Sequence, residues 1–290
     1  MNQELDDKKI FFVGCGKMGS AIIKNLLKQG FEYPQFTILK PSKKNLIAGI
    51  KYISSYQDLS KDFQADIVFF AFKPQVAKAI LLDFSEQKIF NEKTVFISIL
   101  AGKTTEFFEE ILGKNAKVIR LMPNLPTLIN EGIFGYYYNL NFKKSEINFL
   151  SDNAKNNSKH HYFAKFLDKI GQNILVEKEE LMDVVTAISG SGPAYLFLFI
   201  KSLIEIAIKL GLDKKSAERL VEQTIYGSAK VAVNSEKDLA SLIKSVASKG
   251  GTTEAALEVL KKNNQFKKTI SSAVKAANKR AQQLSKISNL

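Results

Sequence analysis

The sequence predicts an α/β protein, a parallel, doubly wound sheet followed by an all-α half. Three observations carry this. Short apolar runs alternate with helix-length amphipathic segments as far as about residue 139. A glycine-rich turn follows the first of those runs. From Glu179 onward nearly every segment has helical periodicity. The length agrees, since 290 residues suit two domains at ~150 residues each.

The elements follow in order. Ile10–Val13 is continuously apolar, as a strand buried on both faces should be. Met18–Gln29 has helical spacing, and Gly30 suits its C-terminal cap. Further strands are predicted at Phe36–Leu39, Ile67–Phe72, Val95–Leu100, Val118–Met122 and Ile133–Tyr138. Asn139–His161 is polar and reads as a surface connection. In the helical half the punctuation is Gly190-Ser191-Gly192-Pro193, Gly211 and Gly250-Gly251. The stretch Ala194–Leu212 is apolar but interrupted by Lys201, Glu205 and Lys209. Leu196, Phe199, Ile200, Leu203 and Ile204 form a long apolar face, suited to a second copy of the chain.

Composition excludes several classes. One cysteine leaves no disulfide framework, and two adjacent histidines, His160 and His161, make a poor metal centre. No metal is expected. The formal charge is +13, but 39 of the 42 basic residues are lysine. Base-reading interfaces favour arginine's planar fork, so no nucleic-acid partner is expected. No charge-free run of membrane-spanning length occurs and the first residues are polar, which predicts a cytoplasmic protein without a membrane partner.

Gly14-Cys15-Gly16-Lys17-Met18-Gly19 stands between the first strand and the first helix, the context a dinucleotide fingerprint requires. The first glycine permits the turn and the second lets backbone approach a pyrophosphate. The third lets helix and strand pack closely. The second strand ends in Lys40-Pro41-Ser42-Lys43-Lys44 with no acid. A hydroxyl and ammonium groups suit a 2′-phosphate, so NADPH is favoured, with NADH as the second choice. Cys15 reads as a small residue the turn needs; the competing reading is a redox-sensitive thiol.

Three more segments end predicted strands, where a doubly wound sheet places its chemistry. They are Ala71-Phe72-Lys73-Pro74-Gln75, Ser98-Ile99-Leu100-Ala101-Gly102 and Arg120-Leu121-Met122-Pro123-Asn124-Leu125-Pro126. In the helical half, Ser248-Lys249-Gly250-Gly251-Thr252-Thr253-Glu254 offers hydroxyl and backbone donors at a helix start, a feature suited to a carboxylate.

Taken in order with Ala187-Ile188-Ser189-Gly190-Ser191-Gly192-Pro193-Ala194-Tyr195, these segments resemble the pyrroline-5-carboxylate reductase family, from about Ile10 to about Leu284. The resemblance implies a Rossmann-like dinucleotide domain, taken as residues 1–176, and a helical dimerisation and substrate domain, 177–290. It implies NAD(P)H-dependent reduction of Δ1-pyrroline-5-carboxylate to L-proline by a homodimer, with a pentamer of dimers as a larger assembly. The loop of Gly14, Cys15, Gly16, Lys17, Met18 and Gly19 is then expected to hold the pyrophosphate. Ser42, Lys43 and Lys44 should hold the 2′-phosphate, and Phe72, Lys73, Pro74, Ala101 and Asn124 should line the nicotinamide end. Thr186 is the catalytic candidate near the imine nitrogen. Ser248, Gly250, Gly251, Thr252 and Thr253 should receive the substrate carboxylate, while Arg120 is either a second anion contact or an ion pair.

Two departures from the family pattern stand out: Lys249 replaces a usual proline, and Asn139–His161 is longer by roughly a dozen residues. Two other readings stay open at this point. One is a β-hydroxyacid or other imino-acid dehydrogenase, for which Lys201 would be the candidate lysine. The other is a non-catalytic NADP-binding protein.

Overall fold

A computed structural model describes residues 8–42, 47–143 and 160–287. They form two compact units, one running through Gly190 and regaining the chain from Ala277, the other Ser191–Ala276.

The first unit is built on an eight-stranded sheet. Its strands are β1 (Ile10–Val13), β2 (Phe36–Leu39), β3 (Lys51–Ile53), β4 (Ile67–Phe70), β5 (Val95–Ser98), β6 (Lys117–Met122), β7 (Ile133–Tyr138) and β8 (Gln172–Leu175). Their order is β3-β2-β1-β4-β5-β6-β7-β8. Pairing is parallel throughout except between β6 and β7. The order reverses between β1 and β4, which opens a crevice at the strand C-termini there.

Alternation along the strands divides the core. Ile10 and Phe12 of β1 face helices α1 (Lys17–Lys28) and α4 (His160–Ile170), where Ile22, Leu26, Phe166 and Leu167 are buried. Phe11 and Val13 face α2 (Ala77–Ser85) and α3 (Thr105–Leu112), with Leu81, Phe84, Phe107 and Phe108. Rings bind the layers, as in the stacked Phe12–Phe69 pair at 4.5 Å. Helix α1 ends as its glycine predicts. Gly30 has φ +95°, its N–H donates to Leu27 O, and the Phe31 N–H donates to Leu26 O. Most of Asn139–His161 lies outside the described residues.

The chain continues through α5 (Leu181–Val185) and a π-turn, Thr186–Gly190. The second unit then holds α6 (Gly192–Lys209), α7 (Lys214–Asn234), α8 (Leu239–Val246), α9 (Thr252–Lys261) and the start of α10 (Gln265–Ile287). Asp213 and Asp238 cap α7 and α8, accepting from the Ser216 and Ser241 N–H groups. Unlike the sheet unit, this one has almost no interior. Ala217 is its only fully buried apolar residue, and none of the 18 residues of α6 is buried. Phe197 is 54% exposed and Leu198 65%. A helix apolar on most of its surface needs a cover that the single chain does not supply.

Candidate active site

The fingerprint turn sits on the crevice between β1 and β4. Gly14 has φ +76°, and a Cβ there would lie 3.0 Å from Ala71 O and from Phe72 Cβ. Its N–H donates to Leu39 O at 2.9 Å, which joins the turn to the end of β2. A Cβ on Gly19 would meet Ala71 Cβ at 3.1 Å, so α1 packs hard against the chain leaving β4. Gly16 differs from both. It is exposed, has ordinary negative φ, and a Cβ on it would meet nothing within 4 Å. It is the N-cap of α1, and no side chain caps that helix. The first-turn N–H groups are therefore left without a side-chain cap, at the positive end of the helix dipole. Two tight glycines around one open one fit a pyrophosphate seated on backbone.

Cys15 is buried, and its Sγ lies 3.2 Å from Ser20 Oγ. Burial pushes its thiol upward, which disfavours thiolate and supports the small-residue reading. Cys15→Ala is expected to keep kcat within about twofold and to leave resistance to peroxide unchanged. Protection of activity by the substitution would revive the redox reading.

The other sequence candidates are distributed as follows. Lys17 is exposed and Met18 half-buried on the first turn of α1. Phe72 abuts Gly14, while Lys73 caps the short 3-10 turn Pro74–Val76 beside it. Ala101 is half-buried in the turn after β5, next to Gly102 at φ +75°. Ser42 is exposed after β2; Lys43 and Lys44 lie outside the described residues.

Asn124 is buried after β6 and tied on both sides. It donates from Nδ2 to Ser189 Oγ at 3.2 Å and accepts the Ile133 N–H on Oδ1 at 3.1 Å. Sequence reasoning missed Ser189, since nothing in its spacing marks it as a partner of Asn124. Thr186 opens the π-turn and donates its hydroxyl hydrogen to Met182 O at 2.8 Å.

Arg120 is no anion contact. It is 3% exposed, with Nη1 3.3 Å from Glu179 Oε1 and Nη2 3.5 Å from Asp183 Oδ1. The guanidinium is occupied by two internal carboxylates. The four-residue spacing of Glu179 and Asp183, one helical turn, was the available signal.

The second unit carries the remaining set. Gly251 is the N-cap of α9, and its N–H donates to Ser248 O at 3.0 Å. Gly250 has φ +72°, and its N–H donates to Glu254 Oε2 at 2.7 Å. Gly250 thus shapes the turn while its donor is used internally. The N–H groups of Thr252, Thr253 and Glu254, on the first turn of α9, have no intrahelical acceptor and can face an anion. Lys249 is exposed in the same turn.

A dinucleotide crevice on a doubly wound sheet, joined to a helical unit without an interior of its own, defines a self-associating NAD(P)-dependent oxidoreductase. Comparisons with known proteins narrow this. Residues 179–284 match the family model described as pyrroline-5-carboxylate reductase dimerisation, and residues 9–102 match NADP oxidoreductase coenzyme F420-dependent. The chain is 34% identical to the pyrroline-5-carboxylate reductase of Haemophilus influenzae, covering 97% of this chain and 98% of that one. It is 30% identical to the Escherichia coli (strain K12) enzyme of the same name, covering 97% and 99%. The structure of Plasmodium falciparum pyrroline carboxylate reductase with NADP bound has 32% identity and a TM-score of 0.80, covering 97% and 99%. The Coxiella burnetii pyrroline-5-carboxylate reductase has 30% identity and a TM-score of 0.81 over the same shares. The chain belongs to the pyrroline-5-carboxylate reductase family.

Proposed function

We propose that this chain reduces Δ1-pyrroline-5-carboxylate to L-proline, with NADPH as the preferred cofactor and a homodimer as the working unit. The observation that carries the reading is the open Gly16 turn on a chain that shares nearly its whole length with reductases named for this substrate.

Bound on the α1 turn, NADPH supplies the hydride. The protein positions and stabilises charge. The N–H groups at the start of α1 neutralise the pyrophosphate, and Phe72, Lys73, Pro74, Ala101 and Asn124 shape the nicotinamide end. Ser248, Thr252 and Thr253 orient the substrate carboxylate, with Gly250 and Gly251 setting the turn. Thr186 has a specific limit: its hydrogen already goes to Met182 O. Towards the ring nitrogen it serves as an acceptor, which suits an imine that enters protonated. With the imine already protonated, hydride addition at C5 would move the C=N π pair onto nitrogen, so the site needs no general acid.

Two substitutions test the parts. Thr253→Ala should raise KM for the imine roughly 5–150-fold, the equivalent of about 1–3 kcal/mol, as loss of the one hydrogen bond its hydroxyl can donate, the backbone N–H being unchanged. An unchanged KM removes the Thr253 hydroxyl from the carboxylate site. Lys43→Glu with Lys44→Glu should weaken NADPH far more than NADH. Equal loss for both removes the 2′-phosphate assignment.

The whole reading is tested by following NADPH absorbance with pyrroline-5-carboxylate. Activity instead with a β-hydroxy acid and NADP⁺ would replace it. The functional division into 1–176 for cofactor and 177–290 for substrate and dimer belongs to the proposal, as do a pentamer of dimers and a cytoplasmic location. One helical run, Leu181–Lys209, is long and apolar enough to cross a membrane. A second copy of the chain, rather than lipid, is its proposed cover, and recovery in the membrane pellet on fractionation would overturn this.

A further inference from the structure

The chain has only three arginines, and one of them is buried within β6. Arg120 spans two carboxylates, and each of these holds another part of the sheet unit. Glu179 accepts the Thr105 N–H on Oε1 at 2.8 Å and the Thr105 hydroxyl on Oε2 at 2.7 Å. Thr105 opens α3, four residues after Ala101. Asp183 accepts the Ser285 hydroxyl at 3.0 Å, which brings in α10. One guanidinium therefore joins the start of α3, β6, α5 and the last helix.

The link to chemistry runs through Asp183. The carbonyl that receives the Thr186 hydroxyl belongs to the peptide bond between Met182 and Asp183. Moving Asp183 moves that acceptor. The far end of the π-turn is held separately, by Asn124 on Ser189. Asn124 lies four residues beyond Arg120, so both ties come from the chain of β6 and its exit. A lysine cannot replace this fork, because a single ammonium does not present a planar pair of donors to two carboxylates.

We propose that Arg120 is a positioning residue for the π-turn Thr186–Gly190, setting where the Thr186 hydroxyl stands through Asp183 and Glu179. This rests on the assignment of Thr186 to the imine nitrogen, but its structural half can be tested without turnover. The experiment compares Arg120→Lys and Asp183→Asn with wild type by hydrogen exchange and by steady-state kinetics. Amide exchange in residues 186–190 should accelerate at least tenfold in either variant while peptides of β1 and β4 exchange as before. The kcat for pyrroline-5-carboxylate should fall at least tenfold, with the Kd for NADPH within twofold. Adding Ser189→Ala to Arg120→Lys should cost less than the product of the single effects, because both ties restrain one turn.

Unchanged exchange in 186–190, or equal acceleration throughout the sheet, overturns the proposal; the second result would make Arg120 a stability residue only. Should Arg120→Lys not fold, Asp183→Asn decides alone, since it weakens one arm and leaves the guanidinium on Glu179. A wild type that does not reduce pyrroline-5-carboxylate removes the proposed function, while the exchange result still decides whether Arg120 holds the turn.

Discussion

Gly16→Glu should abolish NADPH binding while leaving the protein folded. A Cβ at this position meets nothing within 4 Å, the residue is exposed and the backbone there has ordinary φ, so the melting temperature should hold within a few degrees. The carboxylate would occupy the pyrophosphate position and use the same N–H groups. Charge-assisted hydrogen bonds contribute about 1.5–3 kcal/mol each, so losing two raises Kd by roughly 10²–10⁴-fold. Isothermal titration with NADPH and a thermal melt measure the two halves. Gly14→Ala makes the contrast. There the Cβ would sit at φ +76° and 3.0 Å from Ala71 O, so stability itself should fall. A Gly16→Glu protein that binds NADPH normally would place the cofactor elsewhere.

The second large effect concerns the helical unit. Leu196→Glu with Phe199→Glu puts two charges on one exposed face of α6. Sedimentation should show the mass dropping to the 32.4 kDa of one chain, and activity should fall at least a hundredfold. NADPH affinity should survive, because the β1 turn belongs to the other unit. A variant that stays oligomeric would assign the self-association to another face.

The sheet was legible where burial imposes a continuous apolar run. Ile10–Val13, Phe36–Leu39 and Ile133–Tyr138 were read to the residue. Lys51–Ile53 and Gln172–Leu175 escaped because they are edge strands, short and with a single buried residue, Ile53, between them, so little distinguishes them from loop. The reversed direction of β7 was not legible either, since side-chain pattern does not encode strand polarity. In the site, the glycine spacing announced its own roles, because φ and close approach are properties of the residue type. Hydrogen-bond ownership was harder. That Thr186 spends its hydrogen on Met182, or that Glu254 takes the Gly250 N–H, depends on chain path. The second could still have been suspected from an acid at the third position of a helix. Arg120 stayed ambiguous in sequence, since its partners lie 59 and 63 positions away.

The end of α10 has a consequence for synthesis. Leu284 packs on Gly102, close enough that a Cβ there would meet Leu284 Cβ at 2.9 Å. The cofactor unit is therefore interrupted in chain order, with its last piece made after the whole helical unit. A ribosome adding about 5–20 residues per second exposes β1 to β8 for several seconds before that piece emerges. Nascent chains arrested after Ala276 should carry a cofactor unit that is collapsed but open at the β5 turn, and sensitive there to protease.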